Sequence, residues 1–311
     1  MGDAPGNPQP RRPGGHAKQR PLPRPGGDPF GLFPDRTVLY GLRDCGSLPW
    51  ESEAAMAIDV VIACVDKDLP ILKLCIQAAR MFIKDGVDHL YVVAPDSPGI
   101  QAITRSQGGV FVNENEVIDL KRADVRCTIN GTDRSGWIYK QLLVLAADHI
   151  SSNEHMLILD ADTILIRPHQ FLLHGKTTFF ASNELHPPYF EAYRKLLRMP
   201  WRFPLSFVSH YMLFERRRLQ RLRADIEREN DRPWHEAILA TAEGRDTISF
   251  FSEYETYGNY CLFKYPDDII IQYWNNLAMQ RSMLTEVNRL IARFQDTHRS
   301  ISFHTYLSEK E

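Results

Sequence analysis

Met156-Leu157-Ile158-Leu159-Asp160-Ala161-Asp162 is the stretch on which the reading of this chain turns. Four apolar residues in a row suit a strand buried on both faces of a sheet, and two carboxylates arrive where that strand ends. Open α/β sheets bind ligands at their carboxyl edge, so charge is placed where function is expected. An Asp-x-Asp at a turn can aim both carboxylates at one hard divalent ion. Magnesium or manganese fits, since either binds through one or two carboxylates plus a substrate's phosphates. Asp160 and Asp162 are therefore the expected metal ligands.

Toward the N-terminus, 58–65 is a β-branched run that polar Asp66-Lys67-Asp68 ends, and it reads as a first buried strand. Leu72, Cys75, Ile76, Ala79, Phe82 and Ile83 then recur at helical spacing before Gly86, and 90–94 forms a second strand closed by Pro95. Strand, helix, strand implies a right-handed crossover. A short strand at 110–112 and a helix at 137–150 lead to Met156. Beyond it, 177–181 and 207–214 read as strands, and 216–229, 233–242, 252–263 and 279–294 as helices. A closing strand is expected near 301–303. The fold class is α/β, a mixed, mainly parallel sheet sandwiched by helices, in one catalytic domain over 51–311.

Residues 1–50 are a Pro/Gly/Arg-rich tail and lead-in, with almost nothing apolar to bury, and are expected to be disordered. Hydrophobic residues make up 43% and charged residues 24%, an ordinary globular composition, while a net charge of -2 selects no partner class. No apolar run approaches the roughly 20 residues of a spanning helix, and no secretory leader is visible, so the expected location is cytoplasmic. Five widely separated cysteines read as reduced core residues.

Ser252-Glu253-Tyr254-Glu255 sets two carboxylates among aromatics, where desolvation raises a Glu toward the range of a general base. On a helix the two point about 200° apart, so one of them faces a site; Glu253 is preferred, with Ser252 as N-cap, and Glu255 is the alternative. Tyr254, Tyr257 and Tyr260 form a stripe that suits core better than a sugar platform. The basic run Arg216-Arg217-Arg218 with Arg221 and Arg223 reads as a solvated helix face, with anionic lipid as the second reading. It lacks interleaved aromatics, which argues against nucleic acid. The aspartate-nucleophile phosphatase signature hhhhDxDx[TV] fails at Ile164.

The strand 58–65, the helix segment Trp137-Ile138-Tyr139-Lys140-Gln141-Leu142, Asp160-Ala161-Asp162 and Ser252-Glu253-Tyr254-Glu255-Thr256-Tyr257-Gly258-Asn259-Tyr260 occur in that order. Together they resemble GT-A-fold glycosyltransferases, specifically a bacterial group of uncharacterised glycosyltransferase-like proteins, over 58–306. The resemblance implies a nucleotide-sugar donor, UDP- or GDP-linked, with Ala63, Cys64, Val65 and Asp66 beside the nucleotide and Ala161 on the same side. It implies Lys140 at the diphosphate, His304 completing the shell of Mn2+ or Mg2+ (His298 as alternative), and His210 facing the acceptor. The implied reaction is transfer to a hydroxyl of a saccharide or lipid-linked saccharide, in surface polysaccharide or glycolipid synthesis, with peripheral contact to the inner membrane. Two alternatives stand beside it. A sugar-phosphate nucleotidyltransferase would carry a Gly-rich phosphate loop after the first strand, which Val65-Asp66-Lys67-Asp68 lacks. A non-catalytic binding protein of the same fold would be expected to have lost its metal carboxylates, and both remain.

Overall fold

The computed structural model describes residues 57–307, and the expected tail at 1–50 lies outside them. In chain order, β1 (Ile58–Ala63) is followed by α1 (Leu69–Phe82), β2 (Val87–Ala94), α2 (Pro98–Ser106) and β3 (Val110–Asn113). A small hairpin, β4 (Thr128–Ile129) and β5 (Thr132–Asp133), precedes α3 (Ser135–Val144) and α4 (Ala147–Ile150). Next come β6 (His155–Leu159), β7 (Thr163–Leu165), β8 (Leu172–Leu173), β9 (Lys176–Ala181), α5 (Pro187–Leu197) and β10 (Tyr211–Glu215). The remainder is α6 (Arg216–Asn230), α7 (Trp234–Ala240), α8 (Glu253–Lys264), β11 (Ile269–Tyr273), β12 (Asn276–Gln280), α9 (Val287–Phe294) and β13 (Ser300–His304).

The main sheet has the order β10-β6-β1-β2-β3, parallel throughout except for antiparallel β10. The two-residue period of the strands sorts their side chains between two cores. Val61, Ala63, Met156, Ile158, Met212 and Phe214 face the helices α3, α6 and α8. Val60, Ile62, Leu157, Leu159, Tyr211 and Leu213 face α1 and the small sheet β12-β13-β7. Burying each such residue is worth about 1.5–3 kcal/mol, so both layers hold β6 in place. This is the mixed, mainly parallel α/β architecture expected from the strand and helix periods.

Three expected elements differ. The helix foreseen at 137–150 breaks after Val144, because the Leu145 carbonyl accepts a hydrogen bond from Arg223 Nη1 at 2.8 Å. The strand foreseen at 207–214 begins only at Tyr211, since His210 has the left-handed φ of 64°. The helix foreseen at 279–294 is α9 only from Val287; Asn276–Gln280 pairs in parallel with Ser300–His304, and that pairing overrides the helical period. Helix α5, opened by Pro187 and Pro188, and strand β11 lie in stretches where no element was expected.

Candidate active site

The chain leaves β6 at Leu159 and turns within four residues, Thr163 N–H donating to Asp160 C=O at 3.1 Å. Each carboxylate of this turn is met by a histidine, one from the residue that precedes β10 and one from the end of β13. On one side Tyr211 pairs with Leu159 and Asp160 N–H donates to His210 C=O at 2.9 Å, which sets His210 Nδ1 3.0 Å from Asp160 Oδ2. On the other, Ser302 pairs with Thr163 and Phe303 N–H donates to Asp162 C=O at 2.8 Å. That register carries His304 Nδ1 to 3.2 Å from Asp162 Oδ2. The two imidazole rings lie 5.1 Å apart, centre to centre, with Trp274 5.2 Å from His210.

Helices α3 and α8 close the other side. Lys140 Nζ donates to Asp160 Oδ1 at 2.5 Å and lies 3.6 Å from Glu253 Oε1. Tyr254 donates its hydroxyl to the same Asp160 Oδ1 at 3.0 Å. Gln141, the neighbour of Lys140, accepts the Glu253 N–H on its Oε1 at 3.1 Å and so pins the start of α8 to α3. Ser252 caps α8 as expected, accepting the Glu255 N–H at 3.2 Å.

The charges act on one another as this geometry requires. Burial would raise the Asp160 carboxyl, but Lys140 and His210 outweigh it and hold the carboxyl well below its ordinary range. Asp162 is likewise lowered: burial opposes, and the His304 hydrogen bond prevails. His210 is raised, its burial outweighed by the hydrogen bond and charge of Asp160. Burial raises Glu253, with Lys140 opposing. The cluster is therefore a set of anions and cations in contact, with Glu253 displaced toward the range in which a carboxylate takes up a proton.

Glu255 goes elsewhere. It is fully buried, accepts from Phe207 N–H at 3.1 Å and from Asn259 Nδ2 at 2.8 Å, and burial pushes it up to about 7. It serves the core and not the cluster. Ala63 and Cys64 are buried at the end of β1, whereas Val65 and Asp66 are exposed, Asp66 accepting from the Ser97 hydroxyl. Ala161 packs its methyl into the core on the α1 side, leaving its backbone for any ligand. His298 sits beside Thr297 and Phe294, away from both aspartates. Of the tyrosine stripe, Tyr257 and Tyr260 are core residues bonded to Glu215 N–H and Asp225, and Tyr254 alone reaches the site.

Sequence reasoning missed the pairing of His210 with Asp160, since strand register is invisible in one strand. It also missed Tyr254 as an aspartate partner, and Arg281, which donates from Nε to Phe303 C=O at 3.1 Å and binds Asp68, joining the β1–α1 loop to β13. The basic helix face is largely consumed: Arg223 binds Asp148, Arg218 binds Glu215 and Asp268, and Arg216 donates to the carbonyls of Asp148 and Asn153. Arg217 and Arg221, four residues apart, keep exposed side chains on α6, with Glu154 and Asp225 as their carboxylate partners. No helix among the described residues is long and apolar enough to cross a membrane.

The donor set at the β6 turn suits a divalent cation, with hard carboxylate oxygens from Asp160 and Asp162 and a borderline imidazole from His304. Among the described residues, the group whose ligand atoms all lie within 4.8 Å of one another is a different one, Asp59, Asp88 and His89. It sits at the amino edge of β1 and β2, and its buried member is occupied: Asp59 accepts from the Ser151 hydroxyl and from His89 N–H. Asp88 and His89 are exposed, and the trio reads as a strand-end brace.

Comparison with solved structures finds mouse xyloside xylosyltransferase 1 in its apo form at 11% identity and TM-score 0.44, covering 80% of this chain and 98% of that one. The galactosyltransferase LgtC, in complex with donor and acceptor sugar analogues, is similar at 13% identity and TM-score 0.41, covering 79% and 87%. No curated protein matches the sequence. A family model matches residues 56–298, and with most of its length under that one model the chain belongs to DUF6492, a family of unknown function.

Proposed function

We propose that this protein is a divalent-cation-assisted glycosyltransferase that moves a sugar from a nucleotide-sugar to a hydroxyl acceptor. The observation that carries the reading is the β6 turn, where two aspartates are each held by a histidine and Lys140 bridges Asp160 to Glu253. Asp160, Asp162 and His304 would hold Mn2+ or Mg2+, which when bound neutralises charge building on a departing diphosphate. His210 and Tyr254 orient Asp160, and Lys140 adds a positive charge for the same phosphates. Ala63, Cys64, Val65, Asp66 and the Ala161 backbone form the nucleotide side.

Glu253 is the base. It takes the proton of the acceptor hydroxyl as that oxygen bonds to the anomeric carbon and the bond from that carbon to the diphosphate breaks, releasing a nucleoside diphosphate. Its burial and its contact with Lys140 support the role. We further place the enzyme in the cytoplasm of a bacterium, at the inner membrane, acting on a saccharide or lipid-linked saccharide in surface polysaccharide or glycolipid synthesis. The retained aspartates favour this over a non-catalytic protein, and the absence of glycine from Val65 to Asp68 favours it over nucleotidyl transfer.

Calorimetric titration of UDP and GDP, with and without manganese, on the wild type and on Asp162→Ala tests the reading. Binding of one nucleotide that needs manganese and weakens about 100-fold or more in the variant is expected. Absence of binding by every nucleoside diphosphate to folded, manganese-loaded protein would remove the glycosyltransferase assignment.

A further inference from the structure

Arg134 stands at the start of α3, six residues before Lys140, and its guanidinium lies 4.2 Å from the centre of the Trp137 ring. The side chain is half-buried, yet among the described residues no carboxylate lies within 4.0 Å of it and its Nε is buried with no hydrogen-bond partner. The first turn of α3 has no acidic residue to offset the charge. Buried cations are ordinarily paired, so an unpaired guanidinium held against an aromatic ring is costly unless something else supplies the anion. Burial accordingly lowers its proton affinity.

The surroundings indicate what that anion is attached to. Trp137 packs edge-on against Phe250, 5.2 Å away, so the ring is a fixed plate. Tyr189, at the start of α5, has its phenol raised by burial and hydrogen-bonded to Ser249, with the charges of Glu253 and Arg134 acting on it in opposite senses. His186 packs against Tyr189 at 4.5 Å. An indole plate, a phenol and a planar cation suit a sugar ring that carries a carboxylate, since guanidinium binds carboxylate through two parallel hydrogen bonds and aromatic faces take sugar C–H edges. Arg134 opens the helix whose Lys140 lies 3.6 Å from Glu253, and Glu253 as the proposed base puts this end of the site on the acceptor's side.

We propose that Arg134, stacked on Trp137, is the subsite for the carboxylate of an acidic saccharide acceptor. The word acceptor rests on the glycosyl-transfer reading; the carboxylate subsite does not.

Calorimetry with methyl glucuronide, methyl glucoside and inorganic phosphate, on the wild type, Arg134→Gln and Arg134→Lys, tests it without any nucleotide. The glucuronide should bind the wild type at least about ten-fold more tightly than the glucoside or phosphate, and Arg134→Gln should erase that preference. Should Arg134→Gln lose its fold, Arg134→Lys decides, because it keeps the charge and loses the planar fork. Three- to ten-fold weaker glucuronide binding there, with the glucoside unchanged, is expected. Equal binding of glucuronide and glucoside by the wild type, a glucuronide preference that survives in Arg134→Gln, glucuronide binding by Arg134→Lys as tight as in the wild type, or phosphate binding as tightly as glucuronide would overturn the proposal. The same samples titrated with UDP, GDP and manganese separate the two readings: loss of nucleotide binding with the glucuronide preference intact removes glycosyl transfer and leaves the subsite.

Discussion

Two pairs of acidic residues at the same spacing, Asp160 with Asp162 and Glu253 with Glu255, end in opposite arrangements. The first pair sits in a turn after a strand, and both carboxylates join one cluster, each with its own histidine. The second pair opens a helix, where two positions are about 200° apart, and the members separate. Glu253 meets Lys140 at 3.6 Å, while Glu255 meets the Phe207 amide in the core. A spacing of two residues thus carries no chemistry by itself; the backbone period around it decides which side chains converge.

The contrast within the glutamate pair can be broken most sharply by Glu253→Gln. If Glu253 is the base, turnover with a working acceptor falls about 1000-fold, roughly 4 kcal/mol of barrier, while nucleotide affinity stays within about two-fold. Steady-state kinetics beside calorimetry reads both. Glu255→Gln should leave turnover within a few-fold and appear in stability instead. Glu255 titrates at about 7 in the folded chain against an ordinary 4.5, so the folded state holds its proton more tightly than the unfolded one. Its stabilising share is whole below about pH 4.5 and is lost as pH rises through 7, a change of about 3 kcal/mol. Urea denaturation from pH 4.5 to 8 should therefore show Glu255→Gln gaining on the wild type by about that amount as pH rises. A constant difference between the two proteins would place the titration elsewhere.

A smaller effect probes why α8 sits close enough for Glu253 to reach Lys140. A methyl at Gly258 would lie 2.5 Å from Phe207 Cγ, and the Phe207 amide is already held by Glu255. Gly258→Ala should destabilise by about 2 kcal/mol despite alanine's better helix propensity, as thermal melting would show. The aspartate pair is sharpened by its histidines. His210→Ala removes a partner of Asp160 that is no ligand in our scheme, and manganese affinity should fall about ten-fold, measured by metal titration. A loss as large as that of Asp162→Ala would make His210 a ligand in its own right.

Much of the fold was legible because local periods are strong where both faces of a strand are buried. The run from Met156 to Leu159, the helix around Leu72 and Cys75 and the Ser252 cap all form where those periods place them. The misread stretches are those in which a distant partner overrides the local pattern, as Arg223 does at the Leu145 carbonyl and Ser300–His304 does beside Asn276–Gln280. Gly258 was a signal left unused. Glycine inside a helix costs about 1 kcal/mol relative to alanine, and its presence there marks a close neighbour, here the Phe207 ring.

The sequence by itself determined that two carboxylates follow a buried strand, that Lys140 belongs to a packed helix and that Ser252 starts the helix bearing Glu253. Those are consequences of chain-local geometry, the two-residue period of strands and the 3.6-residue period of helices. Only the tertiary structure decided that His210 serves Asp160 and His304 serves Asp162, that Glu255 belongs to the core, and that Arg134 lies half-buried with no carboxylate beside it among the described residues. Each of these depends on strand register or on helix packing between residues far apart in sequence, and such contacts are set by which surfaces bury together, a quantity no single stretch of chain contains.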